Sequence, residues 1–277
     1  MSDDSISRRD FVTQSLTAGF ALAAMPISAF AITTDTKGLV AGEISIPTLK
    51  GHIPAYRAKP VNAKNPSVVL VCHEIFGVHA HIQDLCRRLA KAGYLAIAPD
   101  LFHRQGDATK IASIDELIAK IVSKTPLETV MTDLDATLKH VSTTEKANPA
   151  QVGVTGFCWG GRTTWLYCAH NPSIKAGVAW YGPVTGNAPN KDPLDIAASL
   201  TVPVLGLYAG KDGHIKLDGV KQMEEKLKTG KSGSKIIVYP NADHGFNADY
   251  RPSYNREAAE DGWKQMLGWF SGHGVPV

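Results

Sequence analysis

One cysteine, one aspartate and one histidine each follow a run that reads as a strand, where backbone turns would aim them at a common point. Cys158 lies within Gly156-Phe157-Cys158-Trp159-Gly160-Gly161, between a strand-like run, Gln151 to Thr155, and a helix-like run, Arg162 to His170. Strand, G-x-nucleophile-x-G and helix is the pattern of a nucleophile elbow, with cysteine where serine is usual. Glycine at 156 and 160 lets neighbouring backbone come close, and a helix N-terminus aimed at the sulfur favours thiolate over thiol. The Trp159 N–H then lies where an oxyanion would form on attack at a carbonyl. The competing reading is a small, inert, buried cysteine in a glycine-rich connection.

A nucleophile needs a base, and the base needs a group to orient it. Lys211-Asp212-Gly213 follows the strand-like run Val202 to Ala209, and Asp243-His244-Gly245-Phe246 follows Lys235 to Tyr239. The order Cys158, Asp212, His244 is the nucleophile-acid-histidine order of an α/β-hydrolase. Asp212 has a second reading as the cap of a helix beginning near Ile215, and His244 a second reading as a surface histidine. Asp243 competes as orienter, but as the immediate neighbour of His244 it has difficulty turning back onto that imidazole. His79-x-His81 has a metal-like spacing, but it opens a helix and lacks a third ligand at a suitable distance, so no metal and no cofactor is expected.

The elements around these residues alternate. Gly42 to Ile46 and His52 to Ala58 read as a leading strand pair, and Ser67 to Cys72 as an apolar strand buried on both faces of a parallel sheet. A helical spacing over His79 to Ala92 stops at Gly93, Tyr94 to Ala98 is a strand, and Leu101 to Ala112 reads as loop. Helices follow over Ile114 to Val122 and Leu127 to His140, with Pro126 suited to a first helical turn. Lys175 to Trp180, Val202 to Ala209 and Lys235 to Tyr239 complete the strands; Ile215 to Lys228 and Asn255 to Phe270 complete the helices. The pattern predicts a mainly parallel sheet with helices on both faces, and functional loops at the carboxyl ends of the strands. No linker divides residues 32–277, so a single domain is expected there.

The 277 residues carry a formal net charge of +3 with acids and bases interspersed, which does not suggest a nucleic-acid binder. Four cysteines, Cys72, Cys86, Cys158 and Cys168, have irregular spacings and no C-x-x-C, so no disulfide framework is expected. Residues 1–31 read as an export signal: Ser7-Arg8-Arg9-Asp10-Phe11 precedes a weakly apolar run that closes on Ala29-Phe30-Ala31. Paired arginines and an A-x-A end match the twin-arginine type, which implies recognition by that export machinery. The run is short and interrupted for a membrane anchor. A soluble periplasmic product, cleaved near Ala31, is the resulting expectation.

Taken with His73-Glu74-Ile75-Phe76-Gly77 and Pro99-Asp100-Leu101, the elbow, Lys211-Asp212 and His244-Gly245-Phe246 resemble the dienelactone hydrolase family (carboxymethylenebutenolidase) over about residues 40–272. The resemblance implies an α/β-hydrolase that opens an ester or lactone through Cys158, with Asp212 as acid and His244 as base; a broad-specificity cysteine esterase or thioesterase, and a non-catalytic thiol sensor on the same scaffold, stay open as alternatives. It further implies that Glu74 contacts the resting thiol and yields to substrate, and that the N–H groups of Ile75 and Trp159 form the oxyanion hole, with Phe76 lining the substrate. The chain departs from the best-known members in two places. Gly245 replaces the serine after the histidine, and the arginine expected after Pro99-Asp100-Leu101 to grip a substrate carboxylate has no clear match. Arg104 lies in that region but too early. Arg251 either takes over the role or is a surface loop arginine.

Overall fold

The computed structural model describes residues 32–186 and 191–277. The export-signal reading therefore lies outside the described residues. Eight strands form one sheet in the order β1-β2-β4-β3-β5-β6-β7-β8. The leading strands are longer than their apolar cores predict. β1 (Leu39–Thr48) and β2 (Gly51–Pro60) form an antiparallel hairpin that turns through Gly51 at φ 96°. β2 pairs antiparallel with β4 (Leu95–Pro99), and every later neighbour is parallel.

β3 (Val68–Cys72), β4, β5 (Val152–Phe157), β6 (Ala176–Trp180) and β7 (Val204–Ala209) are buried along their whole length. That is why they read as unbroken apolar runs rather than alternating ones. β8 (Lys235–Tyr239), at the sheet edge, is only half-buried.

The helices are α1 (Ala80–Lys91), α2 (Ile114–Lys120), α3 (Leu127–Thr144), α4 (Trp159–His170), α5 (Pro193–Ile196), α6 (Leu217–Thr229) and α7 (Arg256–Gly272). α1 ends where Gly93 takes φ 113°, a conformation open to glycine without penalty. Pro126 sits one position earlier than predicted, as the N-cap of α3 with extended backbone. The connection between β4 and α2 is mostly irregular, as expected, with one short 3₁₀ turn at Ala108–Lys110.

What positions the site is the contact of α4 with β3 and β5. A Cβ on Gly160 would lie 2.1 Å from the Cys72 carbonyl oxygen, and one on Gly156 would lie 2.1 Å from the Gly160 carbonyl oxygen. Both approaches are backbone on backbone, so no side chain can move aside. Cys158 bridges the two elements at φ 54°, ψ −117°, a strained conformation for a residue with a Cβ. Its N–H donates to the Trp180 carbonyl (3.0 Å), which ties the elbow to the end of β6. Gly160→Ala should therefore cost about 3 kcal/mol or more in urea unfolding; a loss within about 0.5 kcal/mol would mean that α4 is not held against β3.

Candidate active site

The sheet brings the candidate residues to one edge. Cys158 follows β5, Asp212 follows β7, His244 follows β8, and Glu74 and Ile75 follow β3. Cys158, buried at 6% exposure, opens α4. The Trp159 N–H thus belongs to the first helical turn, whose donors have no intrahelical acceptor.

His244 Nδ1 lies 2.8 Å from Asp212 Oδ2. An ionised carboxylate only accepts, so Nδ1 carries the proton and Nε2 is left to the sulfur. Burial opposes charge on the imidazole, but the neighbouring Cys158 sulfur and the bond to Asp212 outweigh burial, and its pKa is pushed up to about 10. These surroundings favour the charged imidazole.

Asp212 does not cap the helix as one reading had it, because the helix begins later, at Leu217. Its Oδ1 accepts from the N–H groups of His214 (2.8 Å) and Ile215 (2.9 Å), while Oδ2 faces His244. The helix cap proper is Lys216, four residues on. Burial would raise the Asp212 carboxyl, yet His244 and these two N–H groups hold it below its ordinary value. Asp243 instead accepts from the His244 backbone N–H (2.6 Å), turned away from the ring.

The Glu74 side chain is fully buried. Its Oε2 accepts from the Tyr250 hydroxyl (2.8 Å) and lies 3.4 Å from His79 Nε2, and its Oε1 lies 3.5 Å from Arg251 Nη2. Burial raises its pKa, but Arg251 and His79 reverse the sign, and the group is a carboxylate. Burial also lowers His79, which is therefore neutral near pH 7, so Arg251 supplies the compensating charge. The contacts of this carboxylate run to Tyr250, His79 and Arg251.

Arg251 is no surface arginine. It is buried, its guanidinium lies 5.0 Å over the Phe76 ring, and its Nε donates to the Tyr250 hydroxyl (3.1 Å). Its position accounts for Gly245: that residue has φ 77°, and a Cβ there would meet Arg251 Nη1 at 2.9 Å. Arg104, by contrast, is not brought to the site. Its guanidinium is held by Asp133 on α3 (2.5 and 3.1 Å) and by Thr48 at the end of β1 (2.7 Å), a structural clamp that removes it from any substrate role. His79 and His81 engage Glu74 and Asp249, which uses up the metal-like spacing.

Three residues were not singled out for a role by sequence. His73 is fully buried; its Nε2 accepts from the Leu101 N–H (3.1 Å), so Nδ1 carries the proton and donates to the Glu74 carbonyl (2.7 Å). It also stacks on Trp159 at 5.6 Å, bracing both sides of the expected oxyanion hole. Tyr250 anchors Glu74 as described, and Tyr181, at φ 36°, sets its ring edge-on to His244 at 5.2 Å. The signal for His73 was present, since it heads the His73-Glu74-Ile75-Phe76-Gly77 stretch; Tyr250 and Tyr181 had none.

A parallel sheet flanked by helices, with a strained cysteine after one strand and a histidine–aspartate pair after two later ones, defines an α/β-hydrolase. The dienelactone hydrolase family model matches residues 53–274. A relative from Methylorubrum extorquens, described as "Putative carboxymethylenebutenolidase", is 50% identical over 274 residues, covering 98% of this chain and 94% of its own. An Escherichia coli K12 relative of the same description is 49% identical over 265 residues, covering 93% and 96%. The crystal structure of a Klebsiella pneumoniae "Putative Dienelactone Hydrolase" superposes with a TM-score of 0.82 at 51% identity, covering 84% of this chain and 98% of that one. The chain belongs to the dienelactone hydrolase family, and with it to the carboxylic ester hydrolases.

The raised imidazole makes a signed prediction. With a folded value of about 10 above an unfolded value of about 6.5, the charged His244 stabilises the fold fully below the lower value. That contribution is lost as pH rises through the upper one. Cys158→Ala removes the sulfur from beside the imidazole and should bring the His244 titration, followed by NMR, down toward its ordinary range; an unchanged value near 10 would contradict the pairing.

Proposed function

We propose that the protein hydrolyses an activated ester or lactone of the dienelactone type through a cysteine thioester, with Cys158 as nucleophile, His244 as acid–base and Asp212 as its orienting partner. The observation that supports this most is the Asp212–His244 hydrogen bond beside the Cys158 sulfur at the elbow, where the charged imidazole is favoured.

In the first step the Cys158 thiolate attacks the carbonyl carbon, and the electron pair moves to the carbonyl oxygen. The N–H groups of Trp159 and Ile75 receive that oxyanion. Collapse expels the alcohol or enol oxygen, which takes the proton from His244 Nε2, and leaves a thioester on Cys158. His244, now neutral, removes a proton from water; hydroxide attacks the thioester, and the thiolate departs to restore the ion pair. A thiolate leaves as readily as it attacks, so poor leaving groups return to substrate. Enol lactones and aryl esters are the substrates this chemistry suits.

Glu74, bonded to Tyr250 and facing Arg251 and His79, is a second carboxylate at this edge of the sheet. Arg251 is thereby committed to Glu74, which argues against a free substrate-carboxylate clamp at that position.

Residues 1–31 support export through the twin-arginine route to the periplasm without a lasting membrane anchor. Among the described residues no helix is long and apolar enough to cross a membrane.

Hydrolysis of a dienelactone and of an aryl acetate, measured beside Cys158→Ala, tests the chemistry. Turnover lost in the variant is the expected result; turnover that survives the loss of the sulfur would sink the nucleophile assignment. Asp212→Asn should lower kcat by about 10³–10⁴-fold, and an effect below about ten-fold would remove Asp212 from the mechanism. For localisation, joint Arg8→Lys and Arg9→Lys substitution should retain the precursor in the cytoplasm, and periplasmic recovery of that variant would count against the signal.

A further inference from the structure

Tyr181 follows β6 at the same edge of the sheet, and its backbone takes a conformation that a residue with a Cβ seldom adopts. Its φ is 36°, on the left-handed side that favours glycine. Contacts on both sides hold it there. The Tyr181 N–H donates to the Leu207 carbonyl on β7 (2.7 Å), and the Trp180 carbonyl just before it accepts the Cys158 N–H. Just after it, a Cβ on Gly182 would lie 2.4 Å from the Arg162 backbone nitrogen in α4. Strain kept in place by its surroundings is a mark of functional sites, and here it fixes where one side chain points.

That side chain is fully buried. Its ring stands edge-on to His244 and to Phe246, each at 5.2 Å, and tilts against Phe157 at 6.2 Å. These contacts account for the ring but not for the hydroxyl, which is buried without a hydrogen-bond partner. Phenylalanine would pack as well and avoid the cost of an unpaired polar group. The groups that the hydroxyl faces are Glu74, Arg251, Tyr250 and Cys158. Three of them are engaged with one another, since Tyr250 donates to Glu74 and Arg251 faces the same carboxylate. Burial, reinforced by the Glu74 carboxylate, holds the Tyr181 pKa well above its ordinary value. The hydroxyl therefore keeps its proton and is a donor in waiting.

The order of the sheet separates two roles. β5, which leads into Cys158, lies between β3 and β6. The expected oxyanion donors belong to the β3 side: Ile75 follows that strand, and the first turn of α4 is pressed against its end. Tyr181 comes from the β6 side, as do Asp212 after β7 and His244 after β8. In acyl transfer the carbonyl oxygen is received by the oxyanion donors, and the departing oxygen is met by the histidine.

We propose that Tyr181 is a further catalytic residue, whose hydroxyl donates a hydrogen bond to the departing oxygen of the ester or lactone beside His244. The inference rests on the hydrolase reading above and adds a donor to its acylation step. As the tetrahedral intermediate collapses, the C–O bond breaks and its electron pair passes to the departing oxygen. That oxygen takes the proton from His244 Nε2, while Tyr181 keeps its own proton and stabilises the charge that builds before the transfer is complete. A donor already in place costs no reorganisation at that moment. The help is worth most to a basic departing oxygen, which is slowest to leave and accepts a hydrogen bond most strongly.

Tyr181→Phe is a clean test, because it removes an oxygen that bonds no other group of the protein and keeps the packed ring. The rate of Cys158 acylation, read by rapid quench, intact mass and peptide mapping, is compared for 4-nitrophenyl, phenyl and trifluoroethyl acetates. All three deliver the same acetyl group, from increasingly basic oxygens. The loss caused by the substitution should grow along that series and be about ten-fold or more larger for the trifluoroethyl ester than for the nitrophenyl ester. An equal loss with all three, which a residue that merely shapes the site would give, overturns the proposal, and so does no loss with any. Failure of the hydrolase reading looks different: the unaltered protein would then gain no acetyl mass on the Cys158 peptide from any of the esters, which removes both claims. Acetylation of Cys158 with the same leaving-group dependence in both proteins removes Tyr181 alone.

Discussion

The close approach of α4 to the end of β3 is the constraint on which the rest of the site depends. With Gly160 pressed against the Cys72 carbonyl and Gly156 against Gly160, the first turn of α4 can go nowhere else, and Cys158 must take a positive φ to make the connection. The same contact sets the Trp159 N–H opposite the loop carrying Ile75. His73 fixes that loop by bridging the Leu101 N–H to the Glu74 carbonyl while stacking on Trp159. Backbone strain at one residue is thus maintained by contacts in three neighbouring segments, which is how such strain persists in a folded protein.

Two buried carboxylates lie at this edge of the sheet, and the protein keeps them apart by giving each its own cation. Asp212 has His244, and Glu74 has Arg251. Neither pair is free of cost, because taking charges from water is expensive, and removal of either partner leaves the other uncompensated at about 3–5 kcal/mol. The pairing also divides the work. The Asp212 pair raises the imidazole, whereas the Glu74 pair is tied further by Tyr250. A second network lies behind it: Asp249, next to Tyr250 in sequence, is paired with His81 and Arg88. Arg88 and Arg87 in turn hold Asp84, which binds the Thr34 N–H at 2.6 Å. The segment that supplies Arg251 is therefore anchored to α1 and to the start of the described chain.

Much of this was legible because backbone constraints leave marks in sequence. Glycines at 156 and 160 mark a close approach, continuous apolar runs mark strands buried on both faces, and a residue just past such a run must lie at the carboxyl edge. The fold and the convergence of Cys158, Asp212 and His244 at that edge follow from those marks. Asp212 was harder, since capping and orienting were set as rivals; the helix begins too late for it to be the cap, and its two oxygens divide between the turn before that helix and His244. The partner of Glu74 left no mark, because Tyr250 is 176 residues away and reaches it through tertiary packing alone. Arg104 and Arg251 show the same limit from the other side. Their types fit a substrate clamp equally well, and only the positions of Asp133 and Glu74 separate a remote structural clamp from a group in the site.

The central claim is that Cys158 becomes acylated during turnover. The direct measurement is rapid acid quench of the protein with an aryl ester, followed by intact mass and peptide mapping. An added acyl mass confined to the Cys158 peptide, formed in a burst and discharged by hydroxylamine, is the predicted result. Steady hydrolysis with no acyl mass on that peptide at any quench time, under conditions where a thioester survives, would contradict the account.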